Sequence, residues 1–542
     1  MKKLWFLLVL LFTTIFAFYF FMGWHQLPSS HRYIYMLDDV YIHLSLAKNY
    51  VENGAWSINS TGFDSASSSI LYTLLLSFCI KLFGNWEYYP LVINICFGYF
   101  TLYAFYRYFK DFYGAAEFKW ALFLLLPFTM LHFTVLIGME HTIHMFLMVL
   151  AVYFIHKNVE INFSSRFEFV KLLIIVFFLA TIRFESMFFT SALAVALFLR
   201  KNIYQGIWVL IIGVFPILIF GLFSIKNGGY FFPNSVMIKG SFPSGNHFIS
   251  NMWKIFEVGI LFNPSFYKCL FFPFVLIIAH LAKKYRKFDF RNTFFKKETL
   301  IIAMVITGIL HALFSVLKYR YENYLMIAFL MVIAPIIADF FKNFKREKLN
   351  FGSVLNLFSI FMIGVFSIYR FGSVHYPLVY SSKGINEQQI EMSRFLGMFY
   401  KNEKVVANDI GAIAYFSNVQ LLDIVGLGST DVAKNIIENK HETEDHLLET
   451  QNRFLSNYIL KNNYKVAVIY PGWFPGKLPA KWFPVASWTI SENSFGPARK
   501  TVVFYALSKE EILPLKKNLQ KFNLNKNIGE SYYPIQIYTG KK

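Results

Sequence analysis

The sequence predicts a polytopic α-helical membrane protein that ends in a small α/β domain. Three observations carry that assignment. The 542 residues are 56% hydrophobic and 20% aromatic but only 15% charged, whereas soluble chains run at about a quarter charged. Apolar runs of about 20 residues, the length that crosses a bilayer, recur through the first two thirds. From about residue 371 onward, charges alternate instead with short apolar runs that read as strands.

The formal charge of +20 does not indicate nucleic-acid binding. Lys and Arg cluster in short loops between apolar runs, which is the signature of cytoplasmic loops and not of a basic stripe interleaved with stacking aromatics. Cys79, Cys96 and Cys269 lie inside apolar runs with no metal-ligand spacing, so they read as small core residues.

The first run follows Lys2 and Lys3 and is longer than a signal-peptide core. No small-x-small cleavage site follows in Gly23-Trp24-His25-Gln26, so it reads as an uncleaved first helix. Further spans are expected near 88–107, 119–137, 141–157, 168–183, 185–200, 203–226, 265–283, 297–317, 321–341 and 352–370. The run at 66–84 opens with serines and carries Lys81. Loop charge decides its placement. If it lies in the interface as an amphipathic helix, Lys2 and Lys3 share one side with Arg107 to Lys119, Lys157 to Lys171, Arg200-Lys201, Lys283 to Lys297 and Lys342 to Lys348. If it crosses, those basic loops split between faces. The first arrangement follows the positive-inside rule. It gives about eleven crossings, a cytoplasmic N-terminus and an external C-terminal domain.

The expected units are therefore a membrane module at 1–370 and an external α/β domain at 371–542. Strands are expected at Lys404 to Ala407, Leu421 to Val425, Tyr464 to Tyr470 and Thr501 to Ala506, with a helix near 441–462. Pro471-Gly472 and Pro475-Gly476 mark turns. Asp409 and Asp423 read as solvated strand-end acids.

In this topology five polar clusters fall on the external face: Asp38-Asp39, Gly138-Met139-Glu140, Arg183-Phe184-Glu185, Pro233-Asn234 with Lys239, and Arg320-Tyr321-Glu322. Charges at membrane depth are unfavourable unless they pair or line a cavity, so their convergence points to a site. Asp38-Asp39 has a plain structural reading as acids opening the helix from Val40 to Val51. That role needs one carboxylate. The other is free to accept the proton of an attacking hydroxyl or to face an oxocarbenium-like sugar. Adjacent acids repel, which raises one pKa or favours a shared cation. His141 and His144 have ligand-like spacing beside Glu140, although a helix-face pair is the commoner arrangement.

The stretch Leu37-Asp38-Asp39-Val40-Tyr41-Ile42-His43, with Ala47-Lys48-Asn49, Asn53-Gly54, Asn59 and Ser67-Ser68, resembles the first external loop of GT-C glycosyltransferases. It is most similar to the polyprenyl-phosphate-sugar-dependent group that includes mycobacterial arabinofuranosyltransferases of the B type. More distant relatives are the aminoarabinose lipid A transferases and the protein O-mannosyltransferases. The clusters at 138–140, 183–185, 233–239 and 320–321 are similar to further motifs of that group, in order. Asn408 to Phe416 and Leu422 to Leu427 resemble the start of its external domain. The run Phe63 to Ser67 departs from the arabinofuranosyltransferase pattern.

The resemblance implies a GT-C-like fold and an inverting transfer of a sugar from a polyprenyl-phosphate donor to a hydroxyl of a glycan, lipid or protein. The implied setting is the outer face of a bacterial cytoplasmic membrane, with the C-terminal domain periplasmic. Asp38 or Asp39 is the implied base. Arg183, Arg320 and Lys239 are candidates for the donor phosphate, snorkelling to the headgroups being their alternative. Of these, Arg183 and Arg320 each adjoin an acid that would position them, Glu185 and Glu322. Glu140, Glu185, His43, Asn234 and Tyr321 are candidate substrate contacts. A divalent cation (Mg, Mn or Ca) at Asp38 and Asp39 is an open expectation, and a monomer is expected. The competing readings are a polar-lipid transporter or flippase, which should show internal repeats and midplane charges, and an inactive scaffold of the same fold.

Overall fold

The computed structural model describes residues 1–27, 33–240, 248–285, 290–344, 350–440, 443–496 and 498–534. The expected basic residues Arg286, Lys287, Lys345, Arg346 and Lys348 lie outside them.

Each expected span is helical, although not every one is a single unbroken helix. In chain order these are α1 (Lys2–His25), α4 (Tyr89–Phe112), α5 (Ala115–Thr129) with α6 (Leu131–Leu136), α7 (His141–Glu160), α8 (Arg166–Ile182), α9 (Ser186–Leu199) and α10 (Ile203–Lys226). They continue, after α13 (Pro264–Phe266) and a π-helical turn, with α14 (Phe272–Lys284), α16 (Thr299–Phe314), α17 (Asn323–Phe344) and α18 (Phe351–Ser373). Among the described residues seven helices are long and apolar enough by themselves to cross a membrane. The run expected at 119–137 is broken because Pro127 removes a backbone donor and Met130 turns to φ +52°.

Between α1 and α4 lie α2 (Asp39–Asn53), stopped by Gly54, and α3 (Ile70–Phe83), capped by Ser69. The ends of this segment decide whether α3 crosses. Tyr19, near the end of α1, bonds His375, and Asn85, just before α4, accepts from Tyr415 of the C-terminal region. Both ends are on the same face, so the α2–α3 segment returns to the side it left, as loop charge requires. α11 (Asn234–Lys239) and α12 (Phe248–Phe256) join α10 to α14, and α15 (Phe290–Lys297) precedes α16.

Beyond α18, helices α19 (His375–Ile385) and α20 (Glu391–Phe399) lead into a six-stranded sheet. Its strands are β1 (Lys404–Ala407), β2 (Gln420–Asp423), β3 (Val466–Ile469), β4 (Phe483–Thr489), β5 (Thr501–Ala506) and β6 (Gly529–Tyr532), in the order β2-β1-β3-β5-β4-β6. β2, β1 and β3 are parallel and the rest antiparallel. β4 is absent from the sequence reading because Pro484 interrupts it. The proline is accommodated at a register shift between Pro484 and Ala486, where a missing donor is tolerated. The helices around the sheet are α21 (Gly411–Phe416), α22 (Thr430–Glu438), α23 (Glu444–Lys461) and α24 (Ile512–Lys521).

One sheet face packs on α23 through Val406, Ala467 and Leu455. The other shares a core with the membrane module: Val405, Ala407 and Val468 belong to one apolar cluster with Ile42, Leu46, Trp56 and Phe184. The sheet is thus seated on α2.

Candidate active site

All five expected clusters contribute to one cleft on the sheet-facing side, the second of them through Met139 alone. Its polar wall carries Asp39, His43, Arg183, Glu185, Arg320 and Tyr321, and Lys239 closes it from α11. The remaining wall is apolar, with Phe184, Met187, Phe188, Phe314 and Val316 from the facing ends of α9 and α16.

The cleft is set by helix starts. α7, α9 and α17 all begin at it, and each is preceded by a short turn that carries the charge. Gly138, at φ +72°, makes the turn before Glu140, and a Cβ there would lie 2.5 Å from the Tyr35 ring. Only glycine meets both demands.

Glu140 is fully buried and sits behind the wall, outside the cleft. It bonds Arg183 and lies 3.3 Å from His43 Nε2. His43 Nδ1 faces the Ser67 and Thr73 hydroxyls at 3.2 and 3.4 Å. Arg183 also donates from Nε and Nη2 to Glu185 at 3.0 and 2.6 Å. Arg183 is therefore sandwiched between two acids, and its five donors are largely committed. Glu185 positions Arg183 as expected. Glu322 does not position Arg320: it pairs with Arg370 at 2.7 Å, and Arg370 also donates to Asn323 at 3.0 Å. This buried pair anchors the turn that carries Arg320 and Tyr321. Arg370 was missed in the sequence because it ends an apolar run, where a cation reads as an interfacial anchor.

Arg320 instead bonds Asp39, and its Nη2 donates to the Tyr321 hydroxyl at 3.1 Å. Nη1 of Arg320 is buried with no partner among the described residues, and Lys239 is exposed at the cleft edge. Burial pushes the Asp39 carboxyl up, but the charges of Arg320 and Lys239 outweigh it and hold the group below the usual carboxylate value. Asn234 lies outside the cleft, fully buried, with its backbone N–H on Ser65 and its side chain 3.4 Å from the Leu427 carbonyl. It fixes the wall that carries Lys239.

Asp38 also lies outside the cleft. Its carboxylate accepts the backbone N–H of Gly411 at 2.5 Å and of Ala412 at 2.8 Å, at the start of α21, and hydrogen-bonds Asp409. A Cβ on Gly411 would lie 2.0 Å from the Asp38 carbonyl oxygen, so only glycine allows this approach. Asp409 and Asp423 are thus not solvated acids. Asp409, half-buried, is gripped by Gln389 and Tyr470 as well as Asp38. Asp423 is buried and accepts from Gly428 and Val425. Burial, then the Asp38 charge, pushes the Asp409 carboxyl well above the ordinary value.

The two adjacent aspartates turn to different partners, one to the sheet domain and one to Arg320, so as arranged they do not fit shared chelation of a divalent cation. Among the described residues no group of three or more His, Cys, Asp and Glu side chains is placed to hold a metal ion. His144 bonds Ser186 at 3.0 Å and stacks on Tyr324, and His141 packs edge-on against Tyr321.

A family model described as a domain of unknown function (DUF8728) matches residues 382–505, from α19 to β5. No curated protein matches the chain. Among solved structures the chain is similar to ArnT from Cupriavidus metallidurans in the apo state, at 12% identity and a TM-score of 0.52, over 93% of this chain and 98% of that one. The same protein bound to undecaprenyl phosphate matches at 12% identity and a TM-score of 0.50, with the same shares of each chain covered. The oligosaccharyltransferase AglB from Archaeoglobus fulgidus, in complex with an inhibitory peptide and a dolichol-phosphate, gives 12% identity and a TM-score of 0.45, over 92% of this chain and 74% of that one. The fold is that of a GT-C-like polytopic helical membrane protein with a C-terminal α/β domain.

Proposed function

We propose that the chain is an inverting glycosyltransferase that moves a sugar from a polyprenyl-phosphate donor to a hydroxyl of a glycan, lipid or protein acceptor. The observation that carries the reading is the juxtaposition in one cleft of Asp39, Arg320, whose Nη1 has no partner among the described residues, and the exposed Lys239, beside an apolar wall from α9 and α16. The undecaprenyl phosphate held by the similar ArnT agrees in chemistry with a wall that is apolar on one side and cationic on the other.

In this reading the lipid lies along Phe188, Phe314 and Val316, and its phosphate meets Arg320 and Lys239. Arg183 serves the site indirectly, since Glu140 and Glu185 already take its donors. Asp39 accepts the proton of the acceptor hydroxyl as that oxygen attacks the anomeric carbon. The bond from that carbon to the phosphate oxygen breaks, and the electron pair leaves on the polyprenyl phosphate, whose charge the two cations stabilise. One displacement inverts the anomeric centre. No step is routed through a metal.

The proposed setting is the outer face of a bacterial cytoplasmic membrane, with the sheet domain periplasmic and the chain acting as a monomer. Transport is disfavoured because the uncommitted charges lie at the ends of the helices and not at their middle. The deciding experiment is sugar transfer from labelled polyprenyl-phosphate sugars by the purified chain. We expect Asp39→Asn to lose about 10²- to 10⁴-fold in rate, the scale of general-base catalysis. Unchanged turnover in that variant would remove the proposed base, and no turnover by the unmodified chain across a donor panel would favour the scaffold reading.

A further inference from the structure

A second polar hollow lies at the other ends of the same helices. α7, α9 and α17 run from the cleft to it, and α16 runs back. At 1.5 Å rise per residue the 20 residues of α7 separate the two by about 30 Å, which is the hydrocarbon thickness. The hollow therefore sits at headgroup level in the leaflet opposite the sheet domain. It encloses about 740 Å³ and is lined by four cations (Arg200, Lys284, Lys296 and Lys297), with Leu300, Ile301, Val332 and Ile336 on its bundle side.

Each of its four acids has a neighbour, but only Glu298 is paired with a lysine or arginine. Glu298 accepts from Lys284 and Tyr285, both at 2.6 Å, and Glu117 accepts the Gly114 N–H at 3.0 Å. Glu160 faces His156 at 3.6 Å, and Asp339 accepts from Asn343 at 2.9 Å. Lys284 is thereby matched, whereas the other three cations have no acidic partner among the described residues. Arg200 is 5% exposed; it donates through Nη2 to Asn162 at 2.9 Å and leaves Nη1 without a partner among the described residues. Lys296 and Lys297 have no acidic partner among the described residues and face outward on α15. Snorkelling explains exposed lysines, but not a buried guanidinium with an unused donor beside a cavity.

We propose that this hollow binds the phosphate of an anionic phospholipid in that leaflet, with the headgroup between Arg200 and the Lys296-Lys297 pair and the acyl chains along the apolar bundle side. Charge-assisted hydrogen bonds to phosphate oxygens would complete the Arg200 guanidinium. The inference is independent of the enzymatic reading, because none of these residues touches the cleft.

The test uses the full chain purified in a neutral detergent and offered phosphatidylglycerol and phosphatidylcholine in equal amounts, with retained lipid counted by native mass spectrometry. Inorganic phosphate is titrated separately by calorimetry. We expect phosphatidylglycerol to be retained at least tenfold over phosphatidylcholine, and that preference to fall to near unity in Arg200→Gln and in the double variant Lys296→Gln/Lys297→Gln. The double variant changes two exposed side chains, so it remains informative if Arg200→Gln does not fold. Equal retention of the two lipids, or an undiminished preference in the double variant, would overturn the proposal. Tight binding of inorganic phosphate with no lipid preference would overturn the lipid assignment in favour of a soluble phosphate ligand.

Discussion

Asp38 of the first loop and Asp409 of the sheet domain share a hydrogen bond across the seam between the two parts of the molecule. Two carboxyl groups this close hold one proton between them. Asp38 already accepts two backbone N–H groups from Gly411 and Ala412, so the proton rests on Asp409. The C-terminal ends of parallel strands are where open α/β sheets usually bind ligands. In this chain that position, beyond β1, is filled by an aspartate of the chain itself.

A pH dependence follows from that contact. Burial and then the Asp38 charge raise the Asp409 carboxyl well above its unfolded value, and burial raises Asp38 as well. A group whose folded value is raised contributes stability below its unfolded value and loses it as pH rises through the folded one. Docking of the sheet on α2 should therefore weaken from mildly acidic to alkaline pH. Asp409→Asn keeps a donor facing Asp38 at every pH, so its proteolytic susceptibility at the seam should be flat over the same range. Parallel pH profiles for the two chains would rule out the shared proton.

Asp38 and Asp39 should separate cleanly when each is changed to the amide. Asp39→Asn is expected to slow transfer about 10²- to 10⁴-fold with a smaller loss of thermal stability than Asp38→Asn, since its carboxylate lines an open cleft and gives up only the Arg320 pair. Asp38→Asn should unfold at lower temperature, because an amide presents only one acceptor oxygen to two buried N–H donors, an imbalance of roughly 1–3 kcal/mol. Differential scanning fluorimetry beside the transfer assay distinguishes them. A stable, inactive Asp38→Asn would reverse the assignment.

Arg320 holds Asp39 low as well as facing the donor phosphate. Replacing it with glutamine removes the cation that depresses Asp39, so the acidic limb of kcat/KM should move to higher pH. The rate at its optimum should fall about 10²-fold, the scale for losing one transition-state donor. An acidic limb that stays in place would show that Asp39 is not the group titrating there.

Glu140 is a structural acid in this geometry. It is fully buried against Arg183 and beside His43, and breaking a buried pair from one side is worth about 3–5 kcal/mol. Glu140→Ala should lose stability on that scale, and Glu140→Gln less, because the amide oxygen still accepts from Arg183. If Glu140→Ala melts like the unmodified chain and only its KM for the acceptor changes, Glu140 belongs to the substrate surface after all.

The order of apolar runs and the side on which their charges fall were legible because hydropathy and loop charge are local properties. Those alone placed Asp39, Glu185, Arg183 and Arg320 at one face. Which of two adjacent aspartates enters the cleft was not legible, because it depends on Gly411, 373 residues away in sequence, approaching Asp38. Glu322 was misassigned for a similar reason: its true partner, Arg370, lies 48 residues on, and neighbours in sequence need not be neighbours across a turn. β4 was hidden by Pro484, whose tolerance depends on a bulge that only the paired strand reveals.

Lys440 gives the sharpest test of whether the sheet domain shapes the cleft. From just beyond α22, its Nζ donates to the carbonyls of Met237, Ile238 and Gly240 at 2.8, 3.1 and 2.7 Å. These are the carbonyls at the end of α11, which carries Lys239. A cation at a helix end satisfies acceptors that the helix leaves open, so Lys440 clamps the turn that presents Lys239 to the cleft. Lys440 makes no contact with the cleft itself and is a positioning residue. Lys440→Met keeps most of the unbranched side chain and removes the donors. The donor KM should rise about tenfold, equivalent to about 1.4 kcal/mol, with a smaller change in kcat, and Lys440→Arg should recover part of it. A fall in kcat alone, or a loss matched by global unfolding in both variants, would mean that the clamp supports the fold and does not aim Lys239.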